Sequence, residues 1–351
     1  MKILLLSRYG RLGSSSRLRS YQYIDFLRSR GIELVPAPLF DDNYVRNLYA
    51  GRRKSPVSVV VSYTRRLTRL LSSTRFDLVW LEGELFPFLP AWGEEMLSRT
   101  GLPYIVDYDD ALFHRYDQSR NPLVRAALGD KIDKVMRKAR MVLAGNEYIA
   151  EHARNIGAKN VVKFPTVIDL ERYEVSRLAE GRPFTIGWIG SPVTAKYLLL
   201  INNALKAISK ETDTRLILVG AGDFKLPGLA HRSRQWSEET EAAEIADFDV
   251  GIMPLPDEPW ERGKCGYKLI QYMASSKPVV ASPVGENTRI VAEGIEGLLA
   301  TDESEWLAAL LALADDSSLR ERMGNAGRKK VENKYCVQVA APRLVSLFNS
   351  L

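Results

Sequence analysis

The sequence predicts an α/β protein of two doubly wound parallel-sheet domains. Three observations carry this reading. The chain has 351 residues, and a single core stops growing beyond roughly 250–300 residues, so two cores are expected. Short apolar runs alternate with amphipathic segments, the pattern of a parallel sheet covered by helices. The alternation occurs as two series, separated by a polar stretch at Glu180, Gly181, Arg182 and Pro183 that reads as a linker.

The first series opens at residues 1–7, an apolar run that reads as a buried parallel strand. A turn with Gly10, Gly13 and three serines follows. Leu18, Tyr21, Ile24 and Leu27 then recur at helical spacing as far as Gly31, a residue suited to a helix C-terminus. Residues 32–39 are apolar again, completing a β-α-β unit. Residues 41–56, with Arg52, Arg53 and Lys54, read as an exposed, mobile loop. Strands are expected at 77–81 (DLVWL), 104–107 (YIVD), 141–144 (MVLA) and 161–164, with basic amphipathic segments at 57–71 and 123–140 between them. The second series begins with a strand at 184–189 (FTIGWI), the turn Gly190-Ser191-Pro192 and a helical stretch at 194–210. Strands at 216–219, 250–253 and 278–281 follow, with helices at 267–274, 306–313 and 319–334. The domains are expected at 1–175 and 182–337.

Composition narrows the function. With 46% hydrophobic and 26% charged residues, the chain is ordinary folded protein rather than a disordered or fibrous one. Two cysteines, Cys265 and Cys336, exclude a disulfide scaffold and an all-cysteine zinc site. The three histidines, His114, His152 and His231, have no metal-ligand spacing, so no metal site is expected. No apolar run approaches the ~20 residues of a membrane helix, and the opening apolar run is too short for a signal peptide, so a cytoplasmic protein is expected. Residues 1–172 carry 28 Lys and Arg against 19 Asp and Glu, while the rest carry 21 against 24. A basic half beside a slightly acidic one suggests that the first half meets an anion: nucleic acid, an anionic membrane face or a phosphorylated substrate.

In open parallel sheets ligands bind beyond the carboxyl ends of the strands, and with two domains the cleft between those edges is the expected site. Four groups of residues fit. The turn at 10–16 lets backbone approach an anion through Gly10 and Gly13, although an ordinary serine-capped turn is an equal alternative. Arg17 and Arg19 at the following helix start oppose the helix dipole, which favours an anionic ligand there. The glycine spacing is neither G-x-G-x-x-G nor a Walker motif, which argues against a dehydrogenase or a P-loop NTPase. Asp107, Asp109 and Asp110 follow a strand and suit a metal-held nucleotide, a base, a ligand for an acceptor hydroxyl or a helix cap; His114 lies close enough in sequence to join them. Glu82 and Glu84 end another strand and suit acceptor hydroxyls, or are exposed loop acids. In residues 254–283, Gly263 and Gly266 flank Lys264 and Cys265, and Lys264 and Lys268 place two cations at a helix start, as a diphosphate would require. Gln271 stands one turn beyond Lys268, placed to bind hydroxyls. The alternative is a solvated helix start.

The run Lys268-Leu-Ile-Gln271-Tyr-Met-Ala274-Ser-Ser-Lys-Pro278-Val-Val-Ala-Ser282 resembles the signature helix of retaining GT-B glycosyltransferases of family four, glycosyl transferases group 1, which commonly reads K-L-x-E-Y-M-A-x-G-K-P-V-V-A-S. The opening strand, glycine turn and helix, the V-G-x-G turn at Val219–Gly222 and the run from Asp249 to Leu255 are similar to the family's pattern as well. The family often has two glutamates eight positions apart, and here those positions are Gly263 and Gln271. Asp257, Glu258 or Lys264 are candidates to substitute for the first. The family's N-terminal-domain histidine has no match, and Asp109 or Asp110 are candidates for that region.

The resemblance implies two Rossmann-like domains facing across a cleft that closes on its substrates, with residues 338–351 returning to the first domain. It implies transfer of a sugar from a nucleotide diphosphate sugar to an acceptor hydroxyl with retention of configuration. No metal or other cofactor is expected beyond that co-substrate. The donor-side candidates are Gly13, Gly190, Ser191, Lys264, Gly266, Tyr267, Lys268 and Gln271. The catalytic candidates are Asp109, Asp110 and Lys268, and the acceptor-side candidates are Glu82, Glu84, His114 and Arg17. The family's usual acceptors imply a glycan or lipid-linked acceptor in envelope polysaccharide or glycolipid synthesis, and the basic first half suits the anionic inner membrane face. Two alternatives are a sugar-nucleotide epimerase of the same fold, which would need more acids and histidines, and a nucleic-acid-binding module. The basic runs at 52–54 and 65–69 lack interleaved aromatics, so nucleic acid is not expected as a partner.

Overall fold

The computed structural model describes residues 1–49, 56–175 and 181–351. Arg52, Arg53 and Lys54 of the expected loop, and Glu180 of the expected linker, lie outside the described residues. Contacts divide the chain into two units: Met1–Thr166 with Gly263–Cys265 and Ala340–Leu351, and Val167–Arg262 with Gly266–Val339.

Among the described residues each unit holds one six-stranded sheet. In the first, β1 (Lys2–Leu6), β2 (Glu33–Pro36), β3 (Leu78–Glu82), β4 (Tyr104–Tyr108), β5 (Met141–Ala144) and β6 (Val161–Lys163) take the order β2-β1-β3-β4-β5-β6. Every pairing is parallel. The central strands β3, β4 and β5 are buried along their whole length. Helices cover both faces, which is why these strands read as continuous apolar runs rather than alternating ones. In the helix Val337–Asn349, Phe348 meets the Trp80 ring edge-on at 5.3 Å.

In the second unit, β7 (Phe184–Ile189), β8 (Thr214–Val219), β9 (Arg232–Arg234), β10 (Val250–Met253), β11 (Val279–Ala281) and β12 (Gly297–Leu299) take the order β12-β11-β10-β7-β8-β9, again all parallel. Two apolar clusters pack on this sheet. Leu216 and Leu218 enter one and Ile217 and Val219 the other, as the two-residue period of a strand requires. The edge strands β9 and β12 are absent from the sequence reading. Arg-Ser-Arg carries no apolar signal, because a polar edge strand needs none.

Three expected elements differ. The helix after β1 is broken into Ser14–Arg19, a 3₁₀ turn at Tyr21–Tyr23 and Ile24–Ser29. At the break the Ser20 hydroxyl donates to the Ser16 carbonyl at 2.9 Å, a back-bond that bends helices. The helical stretch after β7 is likewise split by a 3₁₀ segment at Lys196–Ile201. Part of the expected loop is instead the helix Asp42–Tyr49, opened by the Asp41 carboxylate accepting the Tyr44 amide at 2.9 Å. Among the described residues no helix is long and apolar enough to cross a membrane.

Candidate functional site

In the first unit the carboxyl ends of β1, β3 and β4 gather a set of polar side chains. Glu82 ends β3 and stands in register with Asp107 of β4. The turn after β1 folds back so tightly that a Cβ on Gly13 would lie 2.4 Å from Cβ of Tyr9. That fold delivers Ser16 to Glu82: its hydroxyl donates to Oε1 at 2.9 Å and accepts the Tyr9 amide at 3.1 Å. The Arg8 amide donates to the other Glu82 oxygen at 3.3 Å. Burial, reinforced by the negative charge of Asp109, pushes the Glu82 carboxyl up from 4.5 to about 7, against the opposing hydrogen bonds from Ser16 and Arg8. A carboxyl that titrates near neutrality can give or take a proton at working pH. The Ser15 hydroxyl donates to Asp109. Asp109 and Asp110 are both half-buried.

Asp107 has a different task. Arg19 Nε and Nη2 lie 2.9 and 2.6 Å from its Oδ1, and Arg19 Nη1 donates to the Phe164 carbonyl at 2.7 Å and to Thr166 Oγ1 at 3.2 Å. The dipole conflict expected for Arg17 and Arg19 does not arise, because the helix ends at Arg19 and both stand in its last turn, where cations are favourable; the charge of Arg19 is met inside the fold. Arg17 is buried as well. Glu84 is set apart from Glu82. Its carboxylate takes an ion pair from Lys131, a hydrogen bond from the Tyr116 hydroxyl at 2.6 Å and Arg115 at 3.6 Å, and its side chain is 2% exposed. The reading of Glu84 as an exposed loop acid does not hold. His114 sits 3.0 Å from Asp117 through Nδ1 and 2.8 Å from the Tyr148 hydroxyl through Nε2, its ring edge-on to Phe113. Among the described residues no group of three or more His, Cys, Asp or Glu side chains is placed to hold a metal ion.

Gly263, Lys264 and Cys265 group with this first unit. Asn146, which caps the helix Glu147–Asn155, donates to the Gly263 carbonyl at 2.6 Å. The Cys265 thiol donates to the Asp109 carbonyl at 2.8 Å, and burial pushes its pKa up. A Cβ on Gly263 would stand 2.3 Å from Cβ of Ala111 and 2.9 Å from its nitrogen. A glutamate at this position would need Ala111 or the backbone to shift. Ser15, Ser16 and Asn146 are the side chains the sequence reading did not single out. The cap residue at the end of an apolar run was the available signal for Asn146.

In the second unit the ends of β7 and β8 meet the start of the helix Tyr267–Ala274. Gly220, at φ +76°, packs so closely that a Cβ there would lie 2.3 Å from the Gly190 carbonyl oxygen. A Cβ on Gly190 would strike the Trp188 indole at 2.6 Å and Lys268 Cε at 2.8 Å. Gly190 thus leaves room for Lys268, whose ammonium lies 5.0 Å from the centre of the Trp188 ring. Ser191 opens the turn at Pro192–Ala195, hydrogen-bonded with Thr194. Gly266 begins the helix at φ +63°, and Tyr267 and Lys268 are half-buried. Gly190, Ser191 and Lys268 are thereby brought to one sheet end. Lys264 counts with the other unit. Gln271 is held in the interior: its Nε2 donates to the Tyr173 hydroxyl at 3.2 Å, which donates to Glu241 at 3.1 Å. Trp236 Nε1 donates to the same glutamate at 2.9 Å.

Residues 12–165 match the family described as "Glycosyl transferase 4-like domain", and residues 183–316 match "Glycosyl transferases group 1". The chain belongs to the group 1 glycosyltransferases. Among curated relatives, this glycosyltransferase is 30% identical over 150 residues to the phosphatidyl-myo-inositol mannosyltransferase of Mycobacterium leprae, covering 40% of this chain and 38% of that one. It is 33% identical over 141 residues to the D-inositol 3-phosphate glycosyltransferase of Paenarthrobacter aurescens, covering 37% and 33%. These matches span less than half the length of either relative. Two solved structures share the GT-B fold over the whole chain. They are a sucrose-phosphate synthase from Thermosynechococcus elongatus, at TM-score 0.74 and 15% identity, covering 100% of this chain and 98% of that one, and HepE of Anabaena in complex with UDP, at 0.71 and 15%, covering 100% of both.

Proposed function

We propose that the protein moves a sugar from a nucleotide diphosphate sugar to an acceptor hydroxyl with retention of configuration. The observation that carries this is Lys268, laid across Trp188 and Gly190 at the carboxyl ends of the second sheet. A cation fixed there stabilises the charge that develops on a departing diphosphate. Gly266, at the start of the helix that carries Lys268, leaves that helix N-terminus open to an anion, and the proposal requires no metal. In a front-face transfer the bond from the anomeric carbon to the phosphate oxygen breaks. The acceptor oxygen bonds the same carbon on the same face, and its proton goes to the departing phosphate. Such a step needs no protein nucleophile.

On the first unit, Asp109, Asp110 and the near-neutral carboxyl of Glu82 are the groups we assign to acceptor hydroxyls. A glycolipid acceptor is supported by the relative named for phosphatidyl-myo-inositol, and an envelope polysaccharide acceptor is the second form of this proposal. The basic balance of residues 1–172 supports peripheral association with the inner membrane face.

Thermal unfolding in the presence of UDP, GDP, ADP or CMP, with and without EDTA, tests the donor half. A ligand of the folded state raises the melting temperature by mass action. A shift with one diphosphate that survives EDTA is expected. No shift with any nucleotide would overturn the donor assignment, and a shift abolished by EDTA would overturn its metal independence.

A further inference from the structure

The first unit has a cavity of about 580 Å³ at the edge opposite the candidate site. It lies at the amino ends of β4, β5 and β6, where the Arg140 amide donates to the Tyr104 carbonyl and the Val142 amide to the Asn160 carbonyl, both at 2.8 Å. Asp107 stands at the other end of β4, a separation of roughly 10 Å along the strand. Four cationic side chains line the cavity, Arg137, Lys138, Arg140 and Lys159, and no acidic side chain does.

The charges are poorly compensated. Arg137 and Lys159 have no acidic partner among the described residues. Lys138 reaches Glu95 at 3.3 Å, with both side chains more than a third exposed, a pairing of little energetic weight. Arg140 donates to a carboxylate oxygen of Leu351, the last residue of the structure, at a long 3.5 Å. The helix Lys131–Lys138 ends here, and its dipole accounts for cations at Arg137 and Lys138. It does not account for Arg140 and Lys159, which arrive from the starts of two other elements. Four cations around one concavity, with only the carboxylate of Leu351 among them, leave the lining net positive, which favours entry of an anion. The volume falls in the range of small-ligand sites. Arginine forks bind phosphate oxygens in pairs, and the exposed Asn160 amide adds a neutral donor.

We propose that this cavity is a second ligand site, for a phosphate-bearing anion, separate from the candidate transfer site. The phosphate is either that of a soluble compound or that of an anionic lipid headgroup.

The test compares the wild-type chain with Arg137→Ala/Lys159→Ala and with Arg322→Ala/Lys329→Ala, which removes the same charge from exposed positions of the second unit. Each protein is titrated with inorganic pyrophosphate by calorimetry. Each is also sedimented with phosphatidylcholine vesicles with and without phosphatidylglycerol at low salt. Binding of pyrophosphate that the first variant weakens roughly tenfold or more, and the second leaves intact, establishes the site with a soluble ligand. The same contrast seen only with phosphatidylglycerol vesicles establishes it with a headgroup. Absence of both kinds of binding in the wild type, or equal weakening in the two variants, overturns the proposal. Circular dichroism of both variants confirms that the exposed substitutions leave the fold unchanged.

Discussion

Arg19 holds Asp107 through two nitrogens on one oxygen, at 2.9 and 2.6 Å, with both side chains 1% exposed. The pair ties the helix after β1 to β4, and through Phe164 and Thr166 to the segment after β6. Its role is structural. Replacing one partner strands a buried charge. Arg19→Met is expected to destabilise the fold by roughly 3–5 kcal/mol in urea unfolding. The double variant Arg19→Met/Asp107→Leu should recover much of that loss, because an apolar pair replaces a buried ion pair at little net cost. Equal stability of Arg19→Met and wild type would remove the structural role.

Glu82 gives the fold a pH dependence of definite sign. Its carboxyl binds a proton more tightly when folded, at about 7, than when unfolded, at its usual 4.5. Between those values the native state carries the extra proton, so stability falls as pH rises from about 4.5 to about 7 and the loss is complete above that window. The contribution is on the order of 3 kcal/mol. Glu82→Gln keeps an oxygen for the Ser16 hydroxyl and abolishes the titration. The stability of this variant relative to wild type should therefore rise between pH 5 and pH 8. A constant difference across that range would show that Glu82 does not titrate there.

The helix Tyr267–Ala274 was legible to the residue, because Gly266 and Pro278 bracket its apolar face. The apolar strands β1, β3, β4, β5, β7, β8 and β10 were legible for the same reason: burial on two faces writes itself as a run. What was hidden depends on distance in the chain. Ser16 meets Glu82 across 66 positions and Arg19 meets Asp107 across 88, and no local pattern encodes either pairing. Gly263 shows the mixed case. Its departure from the family motif is visible in the sequence, whereas the crowding against Ala111 that a side chain would meet is visible only in three dimensions.

Gln271 is the donor in a buried chain that runs through Tyr173 to Glu241. Restoring the family's glutamate would turn that donor into an acceptor and bring a second carboxylate toward Glu241. Burial and the charge of Glu241 already raise the Tyr173 pKa, so the phenol stays protonated and has one hydrogen to give. Gln271→Glu should lower stability by about 1–3 kcal/mol at neutral pH, with partial recovery in acid as the new carboxyl is protonated. A variant as stable as wild type that has lost its nucleotide-induced thermal shift would instead place the amide on the ligand.

Lys268 separates a binding role from a packing role. Its ammonium over Trp188 contributes a modest cation–π attraction, whereas a cation opposite a departing diphosphate acts on the transition state. Lys268→Gln keeps most of the chain's length against Gly190 and removes the charge. The variant should melt within a few degrees of wild type, since the side chain is only half-buried. It should lose the thermal shift given by the preferred nucleoside diphosphate, and sugar transfer should fall by roughly 10²–10³ in kcat. Lys268→Arg, which keeps the charge, should retain part of both. Undiminished transfer by Lys268→Gln would mean that the lysine only packs on Trp188, and the charge for the leaving group would have to come from the backbone amides alone.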